Sequence, residues 1–204
     1  MGTYKIKICG LTDVKEAEYL NENKVDFAGM VMFFPKSKRN IEPDKAKEII
    51  SALSKDIKTV AVTVSPDINM LKVIEKIGFD YIQIHKKLSE EVLKAAGIPI
   101  LRAFNVSDMS EYEYIKDNNK IAGYVFDAAE PGSGKVFDWS LIKTLPRDGK
   151  LWLLAGGLNS GNIAEAIKYI NPDGADVSSG VENDSGMGKS PEKIKEFVDK
   201  IRSL

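Results

Sequence analysis

The chain has 204 residues, 43% of them hydrophobic, enough for one domain with a substantial core. Its formal net charge of −1 argues against nucleic acid or an anionic membrane as a partner. The single cysteine cannot close an internal disulfide, and no signal peptide or long apolar span is readable, so a cytoplasmic location is expected.

Strand-like and helical patterns alternate from end to end. Tyr4-Lys5-Ile6-Lys7-Ile8-Cys9 alternates polar and apolar residues, then turns at Gly10 toward a helix start at Thr12-Asp13. In chain order, strands are predicted over residues 4–9, 26–32, 58–64, 81–85, 99–104, 123–128, 151–156 and 174–179. Helices are predicted over 13–21, 43–54, 67–77, 89–96, 107–118, 138–143, 159–170 and 191–203, the last capped by Ser190. Ser65-Pro66-Asp67 and Leu88-Ser89-Glu90 read as helix starts, and Gly78 and Gly97 as stops. Runs such as Leu151-Trp152-Leu153-Leu154-Ala155 are apolar nearly throughout, the mark of parallel strands covered on both faces.

Eight strand-then-helix units of roughly 25 residues suit a closed (β/α)8 TIM barrel, whereas an open doubly wound sheet normally stops at five or six strands. No linker or composition break divides the chain, so residues 1–204 are expected to form a single barrel domain. Active sites in this fold lie at the strand C-terminal ends. Those positions carry Cys9, the stretch Phe33 to Arg39, Ser65, His85, Phe104-Asn105, Asp127, Gly156-Gly157 and Ser178-Ser179-Gly180.

Ala155-Gly156-Gly157-Leu158-Asn159 leads from the seventh strand into a predicted helix, and Ser178-Ser179-Gly180-Val181-Glu182 closes the eighth. Glycine-rich turns at these two strands suit phosphate bound on backbone amides, although glycine also serves plain tight turns. Cys9 is either a small buried hydrophobe or a reactive thiol favoured by the helix start that follows. Asp127 is either a turn cap or an acid facing the same site. Arg39 is either a solvated surface cation or the fork for a substrate carboxylate. His85 is the only histidine, so no multi-histidine metal site exists, and no Cys/His/Asp cluster has ligand spacing. Gly186-Met187-Gly188-Lys189-Ser190 ends like a nucleotide-binding loop but has Asn183 where the first glycine belongs. Pro131-Gly132-Ser133-Gly134-Lys135 lacks the following hydroxyl residue, so ATP binding is rejected.

Seven segments, in order along the chain, resemble the phosphoribosylanthranilate isomerase family. They are Lys7-Ile8-Cys9-Gly10-Leu11-Thr12, Ser37-Lys38-Arg39, Gln83-Ile84-His85, Phe126-Asp127, Gly132-Ser133-Gly134-Lys135-Val136-Phe137-Asp138-Trp139, Leu154-Ala155-Gly156-Gly157-Leu158-Asn159 and Asp176-Val177-Ser178-Ser179-Gly180-Val181-Glu182. The resemblance implies an Amadori rearrangement of N-(5-phosphoribosyl)anthranilate to an aminodeoxyribulose phosphate in tryptophan biosynthesis, without cofactor or metal. It makes Cys9 the general base and Asp127 the general acid. Arg39, His85 and Asp176 become substrate-binding, and Gly156, Gly157, Asn159, Ser179 and Gly180 phosphate-binding. The expected partner is a small phosphoribosyl substrate, and the expected assembly a monomer or homodimer. The acid–base chemistry asks for a raised Asp127 pKa and a lowered Cys9 pKa.

The chain departs from the family pattern at Lys86, where glycine is usual after the histidine. It departs again at Ser190, where aspartate often follows the lysine, and at Pro131-Gly132, where a glycine pair is common. An aminoimidazole carboxamide ribotide isomerase would show paired aspartates after strands one and five, where this chain has Cys9 and Phe104-Asn105. A non-catalytic phosphosugar-binding barrel would keep the glycine loops but has no need of Cys9 or Asp127.

Overall fold

Each apolar run becomes a strand parallel to its neighbours in the computed structural model, which describes residues 4–105, 109–127, 140–143, 145 and 147–204. The strands are β1 (Lys5–Cys9), β2 (Phe27–Met32), β3 (Asn40–Ile41), β4 (Lys58–Val64), β5 (Tyr81–His85), β6 (Ile100–Asn105), β7 (Ile121–Asp127), β8 (Leu151–Leu154) and β9 (Gly174–Val177). The two-residue β3, not predicted, pairs with the end of β2. The other eight close into the expected barrel, because β1 pairs with β2 on one side and β9 on the other. β8 and β9 are thus its seventh and eighth staves.

Between them run α1 (Lys15–Asn23), α2 (Pro43–Ala52), α3 (Ile68–Ile77), α4 (Glu90–Ala95), α5 (Tyr112–Ile115), α6 (Ser140–Lys143), α7 (Ile163–Ile170) and α8 (Pro191–Arg202). The predicted caps form: Asp67, Ser89 and Ser190 each accept a backbone N–H three residues on. Gly78 ends α3 in the left-handed region, and α4 ends at Ala95 with Ala96 as its cap, just before Gly97, whose N–H donates to Glu75. Residues 106–108 and 128–139 fall outside the described set, and with them the starts of the helices predicted over 107–118 and 138–143 and the segment Gly132–Trp139.

Two helix starts move. α1 begins at Lys15, because the Glu16 carboxylate takes the N–H groups of Thr12 and Asp13. α7 begins at Ile163, four residues late, because Asn159 and Asn162 build a turn from side-chain bonds. The Asn159 N–H donates to Asn162 Oδ1, and the Gly161 N–H donates to Asn159 Oδ1.

Alternation sorts the strand residues into two apolar masses. Ile6, Ile8, Ala61, Ile82, Ile84, Ala175 and Val177 pack with the helices. Phe27, Val60, Val62, Leu101, Ala103, Val125, Leu153 and Ala155 fill the barrel, with Cys9 packed against them. Just beyond the strands the chain repeatedly takes a left-handed residue: Gly10 after β1, Phe33 after β2, Ser65 after β4, Lys86 after β5 and Gly156 near the end of β8. Among the described residues no helix is long and apolar enough to cross a membrane.

Candidate active site

These turns surround a cavity of about 860 Å³ at the strand C-terminal ends. Cys9, Arg39, His85, Asp127, Gly156, Gly157, Asp176 and Ser179 all line it, although they come from distant parts of the chain. Asn159 and Gly180, also expected there, do not.

Cys9 ends β1 half-buried, inside the barrel rather than among the helices. The helix start that was to favour its thiolate is already spent, since Glu16 accepts the Thr12 and Asp13 amides and that of Lys189 as well. Burial pushes the Cys9 thiol above its ordinary value. Lys7 and Lys189 pull it down, Asp176 pushes it up, and the balance stays upward. The thiol pKa is therefore raised, where a lowered one is expected from the sequence.

Lys7, which sequence reasoning left out of the site, lies wholly buried with Nζ 2.8 Å from Asp176 Oδ2. Burial alone would pull its ammonium down, but the Asp176 carboxylate holds it above the usual lysine value, so it stays charged. The other oxygen, Asp176 Oδ1, is buried and has no hydrogen-bond partner among the described residues. Asp127 ends β7 half-buried, its Cα paired with that of Asn105 on β6.

Arg39 sits on the turn between β2 and β3, and its Nε lies 2.5 Å from Glu182 Oε1. Among the described residues this is the only side-chain hydrogen bond of its guanidinium, leaving both Nη groups for a ligand. Glu182 gathers three cations: Arg39, Lys38 at 2.9 Å and Lys189 at 3.6 Å. Burial alone would raise its carboxyl, but the hydrogen bonds from Arg39 and Lys38 and the charge of Lys189 bring it below the usual range. The nucleotide-loop lookalike is a turn, in which the Gly186 N–H donates to Asn183 and the Asn183 N–H to Gly188.

Gly156 and Gly157 take positive φ of 88° and 66°, and among the described residues their N–H groups make no hydrogen bond. Ser179 and Gly180 open a 3₁₀ turn whose first N–H groups have no hydrogen-bond partner among the described residues. Gly180 is required by packing, since a β-carbon there would stand 2.0 Å from the Leu158 carbonyl oxygen. Asn159 shapes the preceding loop, as described above.

His85 faces the cavity with its Nε2 2.8 Å from the Gln83 amide nitrogen. Burial, with Lys7 and Arg102 nearby, pulls its pKa down to about 3, so the ring is neutral and is no proton donor at physiological pH. Beside it Arg102 donates to the carbonyl oxygens of Ile84, Ala103 and Lys86 and pairs with Glu111 at 2.7 Å. That ties the β5 turn to the segment leading into α5.

A family model for N-(5'-phosphoribosyl)anthranilate isomerase matches residues 6–200. The chain belongs to this family. The isomerase of that name from Thermoanaerobacter sp. (strain X514) is 37% identical over 206 residues, covering 98% of each chain. The crystal structure of phosphoribosyl anthranilate isomerase from Thermotoga maritima superposes with a TM-score of 0.86 at 32% identity, covering 98% of this chain and 100% of that one. A further phosphoribosyl anthranilate isomerase, at 30% identity, TM-score 0.83 and coverage of 98% and 100%, was solved with reduced 1-(o-carboxyphenylamino)-1-deoxyribulose 5-phosphate. The protein is thus an N-(5'-phosphoribosyl)anthranilate isomerase, a TIM-barrel enzyme of tryptophan biosynthesis.

Proposed function

We propose that the cavity binds phosphoribosylanthranilate and rearranges it to the aminodeoxyribulose phosphate with Cys9 as general base and Asp127 as general acid. The phosphate sits on the free N–H groups of Gly156, Gly157 and Ser179, with that of Gly180 next in the same turn. The Nη groups of Arg39 take the anthranilate carboxylate. Asp176 Oδ1, a buried acceptor with no donor among the described residues, takes a hydrogen bond from the sugar portion. His85 contributes a neutral ring to the wall.

Asp127 gives its proton to the ribose ring oxygen as the C1'–O bond breaks, and the nitrogen lone pair forms the Schiff base. That cation acidifies C2', and the Cys9 thiolate removes the C2' proton. The C–H electron pair becomes the C1'–C2' double bond of an enolamine, which tautomerises to the ketone. Each positioned proton transfer contributes roughly 10²–10⁴-fold. Burial raises the Cys9 thiol, and the Schiff-base cation forming beside it favours the thiolate. A catalytic free thiol also fits a reducing cytoplasm.

The observation that carries this reading is the meeting of Cys9, Asp127, Arg39 and the two glycine turns around one cavity. Substrate generated in situ from anthranilate and followed by the loss of its fluorescence tests it. Turnover is expected, and a folded wild-type protein that leaves the fluorescence unchanged overturns the assignment. The Glu182 carboxylate aims Arg39, so Glu182→Gln is expected to raise KM about tenfold with kcat nearly unchanged. Steady-state kinetics check this, and an unchanged KM removes Arg39 or its anchor from substrate binding.

A further inference from the structure

Lys7 is a buried charge that the acid–base scheme does not use. Strand alternation puts Lys7 and Cys9 on the same inward face of β1. There Val60, Leu101 and Leu153 of other staves are plain hydrophobes. An ammonium in that setting is costly unless it is paired. It is paired across the β1–β9 seam, where Lys7 and Asp176 are Cα partners.

The opposite seam makes room for the ammonium at the thiol. Cys9 is the Cα partner of Gly29 on β2. A β-carbon on Gly29 would stand 3.0 Å from Cys9 Sγ and 3.1 Å from Lys7 Nζ, so both atoms converge on the space that the missing side chain leaves. The ammonium is therefore held by Asp176 on one side and presented to the thiol on the other.

We propose that Lys7 is the counter-ion of the Cys9 thiolate, and that Asp176 is the positioning residue that aims it. The inference rests on Cys9 being the base. The thiol must lose its proton before it can accept one from C2', and a thiolate next to Asp176 alone would place two anions together in a buried space. Lys7 separates them. Of the other charges around the thiol, Lys189 is anchored on Ser178 by bonds to its carbonyl and hydroxyl oxygens, and Arg39 on Glu182. Lys7 is the cation whose placement on β1 is tied to Cys9 itself.

Cys9 is the only cysteine, so iodoacetamide alkylation reads this one thiol without ambiguity. The rate is measured against pH for the wild type, for Lys7→Met and for the charge-balanced pair Lys7→Met with Asp176→Asn. In Lys7→Met, alkylation at neutral pH is expected to slow about tenfold or more as the inflection moves to higher pH. Turnover by the same variant is expected to fall about 100-fold in kcat with KM little changed. The double variant removes both charges, restoring fold stability while leaving the inflection high and kcat low. Recovery of the wild-type inflection and kcat in the double variant would mean a purely structural ion pair and overturns the proposal. An unshifted profile in a folded Lys7→Met overturns it too. Failure of Cys9 as base is read separately: Cys9→Ala would then keep its turnover, whatever the alkylation profile of the others.

Discussion

Cys9→Ala is expected to abolish most turnover, lowering kcat by roughly 10²–10⁴-fold while KM stays close to that of the wild type. The thiol is small, and alanine keeps the barrel packed, so circular dichroism and thermal melting should show a folded protein. Arg39 and the glycine turns are untouched, which is why binding survives. Cys9→Ser is a sharper form of the same test. A hydroxyl fills the thiol's space but hardly ionises near neutral pH, so serine should fail nearly as badly as alanine. The pH dependence has a definite sign. The active form of the base is the thiolate, and burial raises the thiol's pKa, so kcat/KM of the wild type should climb with pH through that value. The climbing limb should vanish in Cys9→Ala. Wild-type turnover by Cys9→Ala would move the base elsewhere.

Asp127→Asn should be comparably damaging, roughly 10²–10⁴-fold in kcat, for a different reason. The amide matches the carboxyl in shape but has no acidic proton to give to the ring oxygen. Ring opening, rather than proton abstraction from C2', becomes the blocked step. An open-chain ligand has no ring to open, so the reduced deoxyribulose phosphate bound by the related isomerase should bind Asp127→Asn within a few-fold of the wild type. Calorimetry with that ligand checks it. Loss of its binding together with turnover would make Asp127 a binding group instead of an acid. Full activity in the variant would remove it from the chemistry.

Much of this architecture was legible from local patterns. Alternation at residues 4–9 and short apolar runs elsewhere marked the eight staves, and Asp67, Ser89 and Ser190 marked helix starts, because a cap is decided within three residues. The resemblance of short segments pointed to the residues that now surround the cavity. What local pattern hid was decided between distant segments. Glu16 looks like one more acidic residue in a first turn, yet it is buried and accepts the Lys189 amide from the far end of the chain. The role of Glu182 is hidden in the sequence, because its partners Lys38 and Arg39 lie 144 and 143 residues away along the chain. The α7 start was misplaced because Asn159 and Asn162 bond each other before the helix can begin. Lys7 carried a readable signal that went unused. In a closed barrel both faces of a strand are buried, so a polar residue alternating with Ile6 and Ile8 must point into the interior. A lysine there is an exception that calls for a reason.

The left-handed turns beyond the strands bear on how this enzyme can change. Phe33, Ser65 and Lys86 hold a backbone conformation that costs an ordinary residue about 1 kcal/mol or more, and glycine little. They hold it because barrel closure dictates where each chain must leave its stave. Lys86 holds a conformation that glycine adopts freely, and its carbonyl oxygen is fastened by Arg102. Shape at this rim is therefore inherited from the sheet, while side-chain identity is left open to drift. Replacement of a side chain such as Lys86, which lines the cavity, can re-dress the cavity wall without re-routing the backbone.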